Sequence, residues 1–352
     1  MTAPFVIYES RDSREKLEVN IPLESRLNIE NLRAELGIPQ YVDLTNFQTK
    51  KIVSALWAFA HRDPSEDGKD SPLKVALFGG GAFKLYCSSA NSGPLSRGIG
   101  DIDFVTLREN GKQVVDTLCT LGDKYGSMFF HGIPEVDKRF NALRTGMRYR
   151  IRTIKDVDEN GNPIPGVMDI FCDQLPFCHT LNVRNEIMEA DQRFFTIGLE
   201  NMLLSKSQYI ASVPKSDAGN VDPVRIMGEY NKKQVLVGME QKDMRDVSAA
   251  LLDHDLGKGP ENIDLEIMGE KLRQDWGLWK TVTMSLSNMH RRLDTILTSF
   301  GVSKDDQNTV GEKLKSIVEQ LETKYAAKKG MFGFNKQWWE DVEEQSQESA
   351  HM

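Results

Sequence analysis

The sequence predicts a mixed α/β (α+β) fold, a small mixed sheet flanked by helices and followed by a helical C-terminal domain. Two observations carry this. Between Lys74 and about Arg184, strand and helix patterns are interleaved, and the strands MRYRIRTI and GVMDIFC are joined by KDVDENGNPIP, whose Asn-Gly and prolines mark an antiparallel hairpin. After residue 195 only helical periodicity remains, broken at VPKSDAGNVDP and GKGPEN. The 352 residues allow two domains with a core each. The expected division is an N-terminal extension packed on the core (1–70), the α/β core (71–195) and a helical domain (196–352).

The elements follow in order. Residues 1–70 mix short strand and helix signals and contain the helix LTNFQTKKIVSALWAFAHR, in which Leu44, Phe47, Ile52, Leu56 and Phe59 recur at helical spacing. The loop DPSEDGKDSP ends that pattern. A strand KVALF, a helix starting in the glycines, a strand DIDFVTL and a helix KQVVDTLCTLGDKYG precede the hairpin. In the last third, Trp276 and Trp279 head an apolar stripe of the kind that lies in a core, and KLKSIVEQLETKYAAKKG reads as an amphipathic helix ending at Gly330. Phe332, Phe334, Trp338 and Trp339 cluster near the C-terminus, where they dock back on the protein or meet a partner, and the tail EEQSQESAHM is too polar to fold.

Composition excludes several classes. No stretch approaches the roughly 18 apolar residues of a membrane span, and MTAPFVIYESRDSREK has no basic region followed by an apolar core, which predicts a cytoplasmic protein. Four cysteines are too few for a disulfide scaffold in a chain this long. Cys172, Cys178 and His179 match no zinc spacing and are expected in the core. The net charge of −8 is unlike that of a general nucleic-acid binder. Locally the balance reverses: KRFNALRTGMRYRIRTIK, residues 138–155, holds seven basic residues and no acid. Within it Arg148, Arg150 and Arg152 alternate with Tyr149 and Ile151, the pattern of a strand with one basic face. That face meets either an anionic ligand or acids of the protein itself.

The stretch LFGGGAFKLYCSSANSGPLSRGIGDIDFVTL concentrates the chemistry. A strand runs into Gly79-Gly80-Gly81, where glycine lets the backbone approach a phosphate and lets a helix begin with bare N–H groups. The turn is neither a Walker loop nor a G-x-G-x-x-G dinucleotide turn. Asp101 and Asp103 alternate around Ile102 and so share a face, and two adjacent carboxylates repel unless a cation, most often Mg²⁺, lies between them. Asp169 interrupts the apolar strand VMDIFCD and needs a partner or a metal. Three carboxylates on neighbouring strands beside a glycine turn suit two-metal phosphoryl transfer.

This order of motifs resembles the nucleotidyltransferase superfamily of DNA polymerase β. LFGGGAFKLY, RGIGDIDF, MDIFCDQLPFCHTL, LLSKSQ and QKDMRDVSAALLDHDLG are similar to the prokaryotic branch of nucleotidyltransferase-like proteins related to the toxin nucleotidyltransferases of abortive-infection systems, over residues 74–257. CSSANSGPLSRG lengthens the gap between glycines and aspartates beyond the superfamily's usual one.

The resemblance implies that Gly79 and Gly80 hold the triphosphate of an NTP. Asp101 and Asp103 would bind two Mg²⁺ ions, with Asp169 completing the site and helping to deprotonate the acceptor. Lys206 would contact the nucleotide phosphates; on the residues alone it is equally a snorkelling surface lysine. Asp243 and Asp246, three apart on one helix face, correspond to a Lys-Asp-x-x-Asp motif and would orient Lys206 or contact base or acceptor; helix capping and salt bridging are the alternative. The implied reaction moves NMP to an acceptor hydroxyl, an RNA or tRNA 3′ end first, with a cognate antitoxin as a further partner. A small molecule such as an antibiotic or sugar, a protein hydroxyl, or a nucleotide-binding module without turnover are the other readings.

Overall fold

The computed structural model describes residues 7–9, 16–18, 29–60, 73–125, 135–144, 146–160, 162–190, 194–328 and 337–341. The loop DPSEDGKDSP, Gly330, Phe332, Phe334 and the tail EEQSQESAHM lie outside them. The strands are β1 (Ile7–Glu9), β2 (Lys16–Glu18), β3 (Val75–Phe78), β4 (Ile102–Thr106), β5 (Glu135–Val136), β6 (Arg148–Val157), β7 (Pro163–Cys172), β8 (Gln174–Pro176), β9 (Thr180–Asn182), β10 (Phe194–Thr196), β11 (Ala211–Pro214), β12 (Ile226–Glu229) and β13 (Gln234–Val237). The helices are α1 (Ile29–Leu36), α2 (Phe47–Ala60), α3 (Gly79–Tyr86), α4 (Gly111–Tyr125), α5 (Lys138–Leu143), α6 (Arg184–Glu189), α7 (Leu199–Ser207), α8 (Gln241–Asp253), α9 (Leu265–Gln274), α10 (Trp276–Arg291), α11 (Leu293–Phe300) and α12 (Lys304–Thr323). Among the described residues no helix is long and apolar enough to cross a membrane.

The fold is mixed α+β, and the chain divides into two compact units. The first comprises Met1–Leu85, Gly98–Gln174 and Asn182–Ile197; the second comprises Tyr86–Arg97, Leu175–Leu181 and Gly198–Met352. Most of the segment CSSANSGPLSRG thus belongs with the second unit.

The first unit is built on a six-stranded mixed sheet in the order β10-β3-β4-β7-β6-β5. β4 runs antiparallel to β3 and parallel to β7, and β6 and β7 form the antiparallel hairpin that the Asn-Gly connection predicts. All four residues of β3 are buried, as in a strand covered on both faces. Phe59 of α2 meets Phe104 edge-on with ring centroids 5.4 Å apart, and Phe78 meets Phe171 at 5.2 Å. These aromatic contacts fix β3, β4 and β7 side by side, which is what the site requires.

Lys51 is an exception inside this core. It is fully buried on α2, its Nζ 3.5 Å from Thr153 Oγ1. Burial pushes its ammonium down from 10.5 to about 7, against the pull of Asp156. The unfolded chain therefore binds more protons than the native one between those two values, so this residue makes stability rise with pH across that window. Urea denaturation at about pH 7 and about pH 9 should show the rise in the wild type and lose it in Lys51→Met. An identical pH dependence in the two proteins would show that Lys51 is charged and solvated in the native state.

The second unit is mainly helical, but not wholly. β11, β13 and β12 form a three-stranded antiparallel sheet, with a bulge between Ile226 and Gly228. The expectation of helices alone after residue 195 is corrected here: strands of four residues are too short to show alternation, and QVLV reads as a bare apolar run. A second correction concerns α12, which ends at Thr323. Tyr325 leaves the helix, seats its ring against Gly269, where a Cβ would lie 2.1 Å from it, and donates a hydrogen bond to Glu266. Trp339 is buried with Cys178, Ile210, Met227 and Leu236, so the described part of the aromatic C-terminal cluster docks back on this unit. Cys178 and His179 are buried there, and Cys172 in the first unit. Burial pushes the Cys172 and Cys178 thiols up to about 12 and about 11 and lowers His179, whose Nε2 lies 2.9 Å from Thr281 Oγ1. These are inert core groups.

Candidate active site

In the first unit, the glycine turn and the paired aspartates meet directly. Gly79 leaves β3 with φ +66°, and a Cβ on it would stand 2.6 Å from Asp103 Oδ2. Only glycine satisfies both conditions: a left-handed backbone and a carboxylate in the space of a side chain. α3 begins at this residue, so the first-turn N–H groups, which have no partner within the helix, open beside Asp103, and Gly80 is the second residue of the helix. Asp103 is half-buried on β4, its Cα in register with Phe78 on one side and Asp169 on the other. Asp101 lies in the bend just before the strand and is exposed, while Ile102 between them is fully buried. The two carboxylates thus flank one buried anchor, although only Asp103 belongs to the strand itself.

Asp169 is placed differently. It is 2% exposed, and Arg150, its register partner on β6, donates from Nε to Oδ1 and from Nη2 to Oδ2, both at 2.9 Å. Arg148 Nη2 donates to Oδ2 at 2.6 Å. The Arg148 guanidinium stacks 4.4 Å above the Phe171 ring and the Arg150 guanidinium 4.4 Å above Phe140. Asp103, Asp169 and Arg150 therefore form one row across the sheet. Arg152 pairs instead with Asp137, its Nη2 3.0 Å from Oδ2. The basic face of β6 meets acids of the protein itself.

Among the described residues no three His, Cys, Asp or Glu side chains gather as metal ligands do. Asp101 and Asp103 offer carboxylates of the kind a hard divalent ion takes, on either side of the fully buried Ile102. Asp169 does not fit while both its oxygens accept from guanidinium groups.

The second unit holds the other predicted residues in a cluster of its own. Lys206 Nζ on α7 lies 2.9 Å from Asp243 Oδ1 and 3.2 Å from Asp246 Oδ2 on α8. Arg97 grips Asp246 from the far side, Nε to Oδ1 at 2.8 Å and Nη2 to Oδ2 at 2.5 Å. Burial alone would lower Lys206, but the two carboxylates outweigh it and hold the ammonium above its ordinary range. Asp243 also closes a capping box with Glu240 at the start of α8. Lys206 is thus a half-buried, doubly paired cation and not a snorkelling surface lysine.

Three contributors are absent from the sequence reading. Asp137 caps α5 by accepting from the Phe140 N–H, which the order Asp-Lys-Arg-Phe could have suggested. Phe140, which stacks on Arg148 and Arg150, and Arg97, inside the lengthened gap, carry no sequence signal of their roles.

No family model matches the chain, and no curated protein matches it. The chain is similar to a solved structure from H. pylori, provisionally named a nucleotidyltransferase, at 13% identity and a TM-score of 0.35, over 78% of this chain and 95% of that one.

Proposed function

We propose that the first unit carries out nucleotidyl transfer, moving NMP from an NTP to an acceptor hydroxyl with release of pyrophosphate. The observation that carries this reading is the contact between Gly79 and Asp103, which sets a helix start suited to phosphate against a carboxylate pair suited to a divalent ion. Asp101 and Asp103 would hold Mg²⁺, which when bound supplies charge neutralisation for the triphosphate. The chain's own part is to position: the α3 N–H groups receive phosphate oxygens, and Ile102, fully buried, fixes the spacing of the two carboxylates. Arg148 and Arg150 hold the Asp169 carboxylate in place beside Asp103 in the sheet.

For the acceptor, the resemblance favours an RNA or tRNA 3′ end, and with it a toxin role and an antitoxin partner. One observation favours a small hydroxylated molecule instead: Arg148, Arg150 and Arg152 are all engaged in ion pairs, which neutralises much of the strip that would face a polyanion. Incubation with each labelled NTP, Mg²⁺ and either total RNA or a metabolite extract decides between them. Label in the metabolite fraction supports the small acceptor and label in RNA the polyanion; no label transfer and no pyrophosphate release with any NTP and either acceptor pool would overturn nucleotidyl transfer.

A further inference from the structure

Asp101 stands outside β4, in the irregular segment that follows Gly98, so the register of the strand does not place it. Ile99 and Ile102 are buried on either side and hold this segment against the core, but apolar contact is non-directional and does not fix how the Gly100–Asp101 peptide is turned. That turn decides where the carboxylate goes, because the Gly100 carbonyl shares one rigid plane with the N and Cα of Asp101. Gln48, in the first turn of α2, meets the carbonyl directly: its Nε2 donates to the Gly100 oxygen at 2.8 Å. It reaches there from a fixed base, since Asn46 Oδ1 accepts from the Gln48 and Thr49 N–H groups and caps the helix. One turn further along α2, Ile52 Cδ1 occupies the space of a side chain at Gly81, where a Cβ would lie 2.7 Å from it. One face of α2 thus braces both arms of the candidate site, the glycine turn through Ile52 and the segment carrying Asp101 through Gln48.

Gln48 is 3% exposed, and its Oε1 is buried without a hydrogen-bond partner. An acceptor left in this way costs stability, and a residue serving the core alone would not carry it. We propose that Gln48 is a positioning residue for Asp101, fixing the peptide that aims its carboxylate and so setting the affinity of the site for a divalent ion. The inference rests on the reading of Asp101 and Asp103 as the metal site of nucleotidyl transfer.

Gln48→Met and Gln48→Leu each remove the donor together with the unpartnered oxygen, so the melting temperature should stay close to that of the wild type. In the metal-free protein, ¹⁵N relaxation should show the order parameter of the Asp101 amide falling from about 0.85 toward about 0.6 in both variants. In calorimetry, the gain in affinity that Mg²⁺ brings to whichever of ATP, GTP, CTP and UTP binds the wild type should fall by about tenfold. Ser54→Ala, which deletes a side-chain hydrogen bond to the Lys50 carbonyl on the same helix, should keep both. Variants of Gln48 that keep either the full Mg²⁺ gain or the order parameter of the wild type overturn the inference, as does loss of folding in both. A wild type in which Mg²⁺ brings no gain overturns instead the reading of the metal site, and the inference with it.

Discussion

Lys206→Ala should destabilise the protein by about 3 kcal/mol, the low end of the cost of breaking a buried ion pair. The lysine is 14% exposed in its side chain, and its removal leaves Asp243 without its cation and Asp246, 4% exposed, with Arg97 alone. Burying a carboxylate without its partner is what makes the loss large; the pair itself contributes little over an apolar replacement. A double-mutant cycle therefore separates the two terms. Lys206→Met with Asp243→Asn should recover much of the stability lost in Lys206→Met alone, read by urea denaturation. An unchanged melting temperature in Lys206→Ala would show that the ammonium is solvated and available to a ligand. The same variant would lower any activity of the chain through folding, so turnover has to be measured on protein shown to be folded.

Gly79→Ala should cost about 2 kcal/mol or more and abolish transfer. Two penalties combine: a side chain at φ +66°, and a Cβ 2.6 Å from Asp103 Oδ2, which forces the carboxylate or the turn to move. Gly37→Ala is the control in the same unit, since Gly37 has φ +65° with nothing within 4 Å of its Cβ position. That variant carries the strain alone, about 1 kcal/mol, and should keep full activity. If both variants lost the same stability and both stayed active, the Gly79 contact with Asp103 would have no functional meaning.

The sequence made the central geometry readable because each part rests on local rules. A strand into glycines, an Asp-Ile-Asp alternation and an Asn-Gly hairpin fix β3, α3, β4, β6 and β7 from neighbours in the chain. What it could not show is register. The alternation of Arg148, Arg150 and Arg152 gives a basic face, but that Arg150 lies opposite Asp169 depends on a bulge between Ile154 and Asp156 that no residue pattern announces. The same limit hid Arg97, which reaches Asp246 across 149 positions of sequence. Strand length hid the β11-β13-β12 sheet, because four residues cannot display a period.

The most direct measurement is NTP binding by calorimetry with and without Mg²⁺, on the wild type and on Asp103→Asn. Nucleotidyl transfer at the Gly79–Asp103 turn predicts that Mg²⁺ strengthens triphosphate binding in the wild type and that Asp103→Asn loses this gain while keeping its melting temperature, because Asn matches Asp in size and removes only the charge that would hold the metal. Equal Mg²⁺-dependent binding in both proteins would contradict a metal site at Asp101 and Asp103 and, with it, the assignment of this turn as the site of transfer.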